Sequence, residues 1–160
     1  MFEGIWIYWL FPILFMTHEI EEILYLPKFV KCLKKESSNN IIKRIPAINR
    51  ISFVIIVFEQ LIVIISISLF CYISDNISLY IALIIVYIIH ILIHYLQAII
   101  IKKIIPGFYM GTFSSIILIL ILLSLDVSYS EVLVYIPIVL LLAVVNLVVM
   151  HKITARILKY

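Results

Sequence analysis

The chain carries little charge for its length. Only 13% of its 160 residues are charged, whereas about a quarter of an ordinary soluble domain is charged. Cysteine is also scarce: Cys32 and Cys71 have no CxxC partner, which argues against a structural disulfide. The sequence is instead 66% hydrophobic, with a mean hydropathy of +1.27. This composition excludes disorder, a collagen-like repeat and an ordinary soluble domain, and it indicates a protein whose surface contacts lipid.

Long apolar runs predict five transmembrane helices. They cover about residues 4–25, 51–73, 77–101, 107–125 and 132–150. Runs of this length give ~28 to 38 Å of helix, enough to cross the hydrocarbon of a bilayer. Membrane strands would be half as long and would alternate in polarity. We therefore predict an all-α, polytopic membrane bundle in which residues 1–160 form a single transmembrane domain.

The basic residues indicate how the bundle is oriented. All 12 Lys and Arg fall in residues 27–50, 102–103 and 152–159, which alternate spans place on one side. Four acidic residues fall on the other side: Glu3, Asp75, Asp126 and Glu131. The positive-inside rule then puts the N-terminus outside and the C-terminus in the cytoplasm, with 27–50 as a cytoplasmic basic loop. The Lys28 to Lys35 portion of this loop is a candidate interfacial helix.

The positions of the basic residues also indicate the partners of the protein and the nature of its first apolar run. Basic residues next to the membrane favour anionic lipids, and the absence of a recognition motif argues against nucleic acid. A cleaved signal peptide would begin with positive charge, but no Lys or Arg precedes Lys28. The first run is therefore predicted to be a retained helix of a multi-pass cell-membrane protein.

Titratable side chains inside the predicted spans are the main functional signal, because each costs roughly 2.5–3.5 kcal/mol to insert. They are His18, Glu19, Glu21 and Glu22 in the first span, Glu59 in the second, and His90 and His94 in the third. Counted from the inner ends of the spans, they lie ~7 to ~18 Å inside the cytoplasmic face. We expect these groups to converge in one slab of the bilayer.

Helical periodicity predicts which of these side chains share a face. At 100° per residue, His18, Glu21 and Glu22 fall on one stripe of the first span, and the two His of the third span also share a face. Glu19 departs from its stripe by about 100°. We therefore expect Glu19 to face the cytoplasmic boundary.

The residue types suit a divalent metal. Bundle di-iron proteins use Glu-x-x-His pairs on facing helices, and this chain has the reversed His-x-x-Glu order, so the comparison is chemical only. Zinc accepts three or four such ligands, and two His with one carboxylate suit non-haem iron. We predict a zinc or iron site with Glu59 as a ligand or general base and Glu21 as a second catalytic residue. The predicted metal ligands are His18, Glu21, Glu22, His90 and His94.

The run from His18 to Glu22 contains a His-x-x-Glu-Glu signature and resembles the HXXEE domain family of multi-pass bacterial and archaeal membrane proteins. Glu59, the third-span His pair and Pro106-Gly107 extend the resemblance over most of the chain. The resemblance implies an integral protein of a bacterial inner membrane without an established activity or substrate. Only His18, Glu21 and Glu22 match the signature of the family, so the resemblance identifies only these three as site residues.

Three functions remain open from the sequence. The first is a metal-dependent enzyme that acts on a lipid-like substrate from the cytoplasmic leaflet. The second is a proton- or cation-coupled carrier, or a membrane partner subunit, that uses the same His/Glu cluster. The third is a metal-free isomerase that transfers protons on an isoprenoid-like lipid. Because the outer halves of the spans are almost wholly apolar, a pocket open to the inner side is favoured over a through-channel.

Overall fold

The computed structural model describes residues 4–36, 43, 48–125 and 129–158. These residues form helices and no strand, as the sequence predicts. The five long helices are α1 (Trp6–Glu36), α2 (Arg50–Ile73), α3 (Ile77–Ile101), α4 (Phe108–Ser124) and α5 (Tyr129–Leu158).

Three of these helices, α2, α3 and α5, are long and apolar enough to cross a membrane. Helix α4 is a shorter apolar helix of 17 residues, and α1 combines an apolar first half with a basic end. Large apolar side chains point outward along α5, for example Leu133, Leu141 and Leu142. Exposing them to water would cost about 25 cal/mol per Å², a penalty that lipid removes. The count of five spans and the orientation of the termini remain predictions.

Helix α1 is longer than the first predicted span. It continues through Pro27 to Glu36, so Lys28 to Lys35, the part of the basic connection proposed as an interfacial helix, is helical and continuous with the first predicted span. At 1.5 Å per residue its length is ~46 Å, well beyond the ~30 Å of a hydrocarbon core. Residues 37–42 and 44–47 of the predicted loop lie outside the described residues. So do four charges used in the orientation argument: Glu3, Arg44, Asp126 and Lys159.

Local sequence explains where α2 and α3 begin and end. The side chain of Asn49 accepts hydrogen bonds from Ile51 N and Ser52 N at the start of α2, and Asn76 Oδ1 accepts one from Leu79 N at the start of α3. Lys102 adopts a left-handed conformation, with φ 56°, and ends α3.

The packing brings α1 and α3 together through their side chains. Helix α1 lies between α2 and α4, and α3 packs against α4, α5 and α2. Tyr80 Oη of α3 donates a hydrogen bond to the carbonyl of Ile7 at 2.5 Å, and the rings of Phe11 and Tyr87 lie 5.3 Å apart. Phe11 and His18 are both buried and lie seven residues apart, about two helical turns, so they share one face of α1. His18, Glu19, Glu22 and His94 therefore occupy buried positions.

Candidate metal centre

Three of the four histidines of the chain meet between α1 and α3. The ring centroid of His18 lies 5.5 Å from that of His90 and 5.2 Å from that of His94, and the last two are 4.5 Å apart. One nitrogen of each ring lies within 4.8 Å of a nitrogen of the other two. The structure thus brings His18 next to two histidines that lie more than 70 residues further along the chain.

The backbone of Gly107 determines which nitrogen of His18 is available. His18 Nδ1 lies 3.0 Å from the Gly107 carbonyl oxygen. A carbonyl only accepts hydrogen bonds, so Nδ1 carries the proton and Nε2 carries the lone pair. His18 is fully buried, and its Nε2 has no hydrogen-bond partner among the described residues. A buried lone pair therefore points into the cluster.

The two histidines of α3 contact each other and a carboxylate. His90 Nε2 and His94 Nε2 are 2.9 Å apart, within hydrogen-bonding distance. Glu22 Oε1 lies 3.3 Å from His94 Nε2 but is not aligned for a hydrogen bond, and this buried oxygen has no other partner among the described residues. Glu22 therefore adds a carboxyl oxygen to the three imidazoles.

Glu19 is also part of the cluster, contrary to the expectation that it would face the cytoplasmic boundary. Only 5% of its surface is exposed, and its Oε1 lies 3.9 Å from His18 Nε2. His18, Glu19 and Glu22 form a second triplet of possible ligands. Because α2 covers α1 on one side and α4 covers it on another, a residue 100° from the stripe still lies inside the bundle.

The other two predicted site residues have different neighbours. Glu21 Oε2 accepts a hydrogen bond from Met110 N at 2.8 Å, at the start of α4. Glu59 Oε1 accepts one from Asn146 Nδ2 at 3.1 Å, between α2 and α5. Neither carboxylate belongs to the two ligand triplets of the described residues. The metal-binding and catalytic roles predicted for Glu21 and Glu59 remain predictions.

Two glycines, Gly107 just before α4 and Gly111 within it, allow the close approach that the cluster needs. Gly107 has φ 87°, and a Cβ there would lie 2.7 Å from His18 Cε1 and 2.8 Å from Glu22 Oε1. A Cβ at Gly111 would lie 3.1 Å from His18 Nδ1. The sequence analysis did not assign these residues to the site. The sequence feature that could have indicated them is the GxxxG spacing, which allows close helix packing, in a chain that contains only three glycines.

The cluster is open on one side. His94 is 7% exposed, whereas His90 is exposed at the surface of the described chain. Ile93 and Gln97, on the same face of α3, are exposed as well. His90 therefore presents this side of the cluster to the surface of the described chain, next to an apolar side chain.

Apolar helices packed around a buried His/Glu cluster define a helical membrane protein with a candidate metal centre. The family model described as a protein of unknown function with an HXXEE motif matches residues 9–122, and the chain belongs to this family. The resemblance carried by His18, Glu21 and Glu22 is thereby confirmed. The matched region contains both ligand triplets. No curated protein and no solved structure matches the chain.

Proposed function

We propose that this protein binds one divalent metal ion between α1 and α3 and acts as a metal-dependent enzyme on a lipid-like substrate. The observation that carries the proposal is the pair of buried atoms without partners, His18 Nε2 and Glu22 Oε1, beside two further imidazoles. Each unsatisfied buried polar atom costs about 1–3 kcal/mol. A metal ion would satisfy both atoms at once.

The donors favour a single ion. Both triplets need His18, which has only one lone pair to give, because its Nδ1 proton is engaged by Gly107. The proposed ligands are therefore His18, His90, His94 and Glu22. Nitrogen ligands of tetrahedral zinc lie about 3.4 Å apart. The ligand atoms of each triplet lie within 4.8 Å of one another, and His90 Nε2 lies 2.9 Å from His94 Nε2, so metal binding needs these separations to change by up to about 1.4 Å.

The charges of the cluster support a divalent ion. Three neutral imidazoles and two carboxylates, Glu19 and Glu22, carry two negative charges when both acids are ionised. Two negative charges buried together repel each other strongly in a medium of low dielectric constant. An ion with two positive charges makes the centre neutral, which suits its apolar surroundings.

The substrate class follows from where the cluster is open. His90 is the exposed ligand, and its face of α3 also exposes Ile93. A substrate that reaches this side passes along apolar side chains, which favours a lipid-like molecule. A bound divalent ion supplies Lewis acidity at such a site. Glu19, buried beside His18, is the carboxylate placed to accept a proton in this proposal.

Metal content tests the binding step. Protein purified in detergent and incubated with zinc or ferrous iron should contain about one ion per chain by elemental analysis. His18→Ala and His94→Ala should lose most of that metal. The matched control is His151→Ala, because His151 is exposed on α5 and its Nδ1 bonds within its own helix, to Leu147 O. A wild-type chain that retains no metal would refute the proposal.

Lipid analysis tests the catalytic step. The metal-loaded protein in nanodiscs of bacterial lipid extract should change at least one lipid species, as detected by mass spectrometry. Chelator should stop the change, and readdition of the metal should restore it. Turnover that persists in chelator would instead support the metal-free isomerase.

A carrier is the second candidate, and the Glu59–Asn146 contact favours it. Glu59 Oε2 is buried without a hydrogen-bond partner among the described residues, between α2 and α5, and Glu59 belongs to neither ligand triplet. Titratable groups inside membranes also mark ion pathways. Proton or divalent-cation flux into liposomes, lost in Glu59→Gln, would support a carrier over an enzyme.

A further inference from the structure

The HXXEE signature contains one acid, Glu21, that does not reach the histidines. We infer that Glu21 is a positioning residue that acts through the start of α4 to orient His18 for metal binding; this inference rests on the proposed function. Its carboxylate holds the first turn of α4, the carbonyl of that turn holds His18 Nδ1, and Nε2 is left as the metal-binding atom.

The start of α4 needs an acceptor from elsewhere in the chain. Gly107 is the N-cap residue and makes no side-chain cap hydrogen bond. The first backbone N–H groups of a helix have no partner within the helix and carry partial positive charge. Glu21 Oε2 accepts from Met110 N, the third residue of α4, at 2.8 Å. A side chain of α1 therefore supplies the cap that glycine cannot.

The same turn of α4 presents its carbonyl to the cluster. Gly107 O accepts from Gly111 N at 2.9 Å and lies 3.0 Å from His18 Nδ1. His18 and Glu21 are three residues apart on α1, so they lie on neighbouring positions of one helix face. One of them contacts the carbonyl at the start of α4, and the other contacts an N–H group of its first turn.

This arrangement has a specific consequence for the metal. Histidine ligands commonly donate their second ring N–H to a backbone carbonyl or carboxylate, which fixes the tautomer and the ring orientation. Here the fixing carbonyl belongs to a glycine with φ 87°, a conformation that other residues rarely adopt. If Glu21 releases the first turn of α4, the Gly107 carbonyl is free to shift and His18 loses its orientation.

The residues of the HXXEE motif therefore have two different roles. His18 and Glu22, four residues apart, reach the metal site, whereas Glu21 reaches the backbone of α4. This assignment explains why two adjacent acids follow the histidine. The structure gives these two adjacent acids different partners, Glu22 at the histidines and Glu21 at the backbone of α4.

Cobalt binding to the full chain in detergent tests the inference. Competition with a chelator measures the affinity, and the visible spectrum of the bound Co²⁺ reports the coordination geometry. Glu21→Ala should weaken binding by about 10- to 100-fold and change the spectrum. Glu21→Gln keeps an oxygen that accepts from Met110 N and should stay within about fivefold of wild type. Glu36→Ala is the matched control, since Glu36 is an exposed acid of α1 paired with Lys103.

A second measurement needs no variant. Nitrogen-15 NMR of histidine-labelled, metal-free wild-type protein should show His18 protonated at Nδ1 and unprotonated at Nε2. The opposite tautomer would overturn the inference even if Glu21→Ala does not fold. Folding of each variant is checked by circular dichroism and by elution as a single species.

The remaining outcomes separate the two proposals. Wild-type affinity in Glu21→Ala would overturn the positioning role and leave the metal site intact. Equal loss in Glu21→Ala and Glu21→Gln would identify Glu21 as a ligand and would also overturn the positioning role. A wild-type chain that binds no cobalt, zinc or iron would refute the proposed function itself, and the positioning role with it.

Discussion

His18 and Gly107 are 89 residues apart in sequence and are joined by a hydrogen bond from an imidazole nitrogen to a backbone carbonyl, 3.0 Å long. The bond connects α1 to the start of α4 and fixes the proton of His18 on Nδ1. It therefore links the packing of two helices to the chemistry of one nitrogen.

Replacing Gly107 by alanine should damage both the fold and the site. The new Cβ would lie 2.7 Å from His18 Cε1, and the left-handed backbone adds strain of roughly 1–2 kcal/mol. We expect Gly107→Ala to lower the unfolding temperature in detergent and to abolish stoichiometric metal. Gly111→Ala is the graded control, because its closest contact is the flexible end of Ile91. Equal effects of the two substitutions would contradict this account.

Metal binding should stabilise the folded chain. An ion present at about 100 times its dissociation constant adds about 2.7 kcal/mol when it binds only the folded state. Zinc should therefore raise the unfolding temperature of the metal-free wild type, as measured by intrinsic fluorescence. His94→Ala should lose most of this shift, whereas His151→Ala should keep it. A shift of the same size in all three proteins would indicate unspecific binding.

Helix positions were predictable because polar residues stand at their ends. The predicted spans 51–73 and 77–101 differ from α2 and α3 by at most one residue, since Asn49, Asn76 and Lys102 interrupt the apolar runs. The end of α1 was not predictable from hydropathy. Its last turns carry lysines on a helix that continues past Pro27, and hydropathy does not distinguish a basic helix from a basic loop.

The site was predictable only in part, for a physical reason. Periodicity places His90 and His94 on one face, and His18 and Glu22 on another, so these candidates follow from the sequence. The partners of Glu21 and His18 on α4 are backbone atoms, which every residue type has and no motif marks. The burial of Glu19 depends on which helices cover α1, and periodicity within one helix does not contain that information.

The contact between Glu59 and Asn146 should matter for stability and not for metal. Asn146→Ala leaves both oxygens of Glu59 without a partner among the described residues, which we expect to cost about 1–3 kcal/mol. Glu59→Gln can keep a hydrogen bond to Asn146 and should cost less. Elemental analysis should find wild-type metal content in both variants. Loss of the metal in Glu59→Gln would restore Glu59 to the metal site, as the sequence analysis predicted.

The two cysteines report the orientation of α1 in the membrane. Cys32 is exposed near the basic end of α1, whereas Cys71 is fully buried in α2. With the N-terminus outside, Cys32 lies on the cytoplasmic side, because α1 carries the chain from outside to inside and its lysines follow the positive-inside rule. An impermeant maleimide should therefore label inverted vesicles and leave intact spheroplasts unlabelled. Cys32→Ser should remove all labelling, and Cys71→Ser should leave it unchanged. Strong labelling of intact spheroplasts would reverse the predicted orientation and would place the His/Glu cluster nearer the outer leaflet.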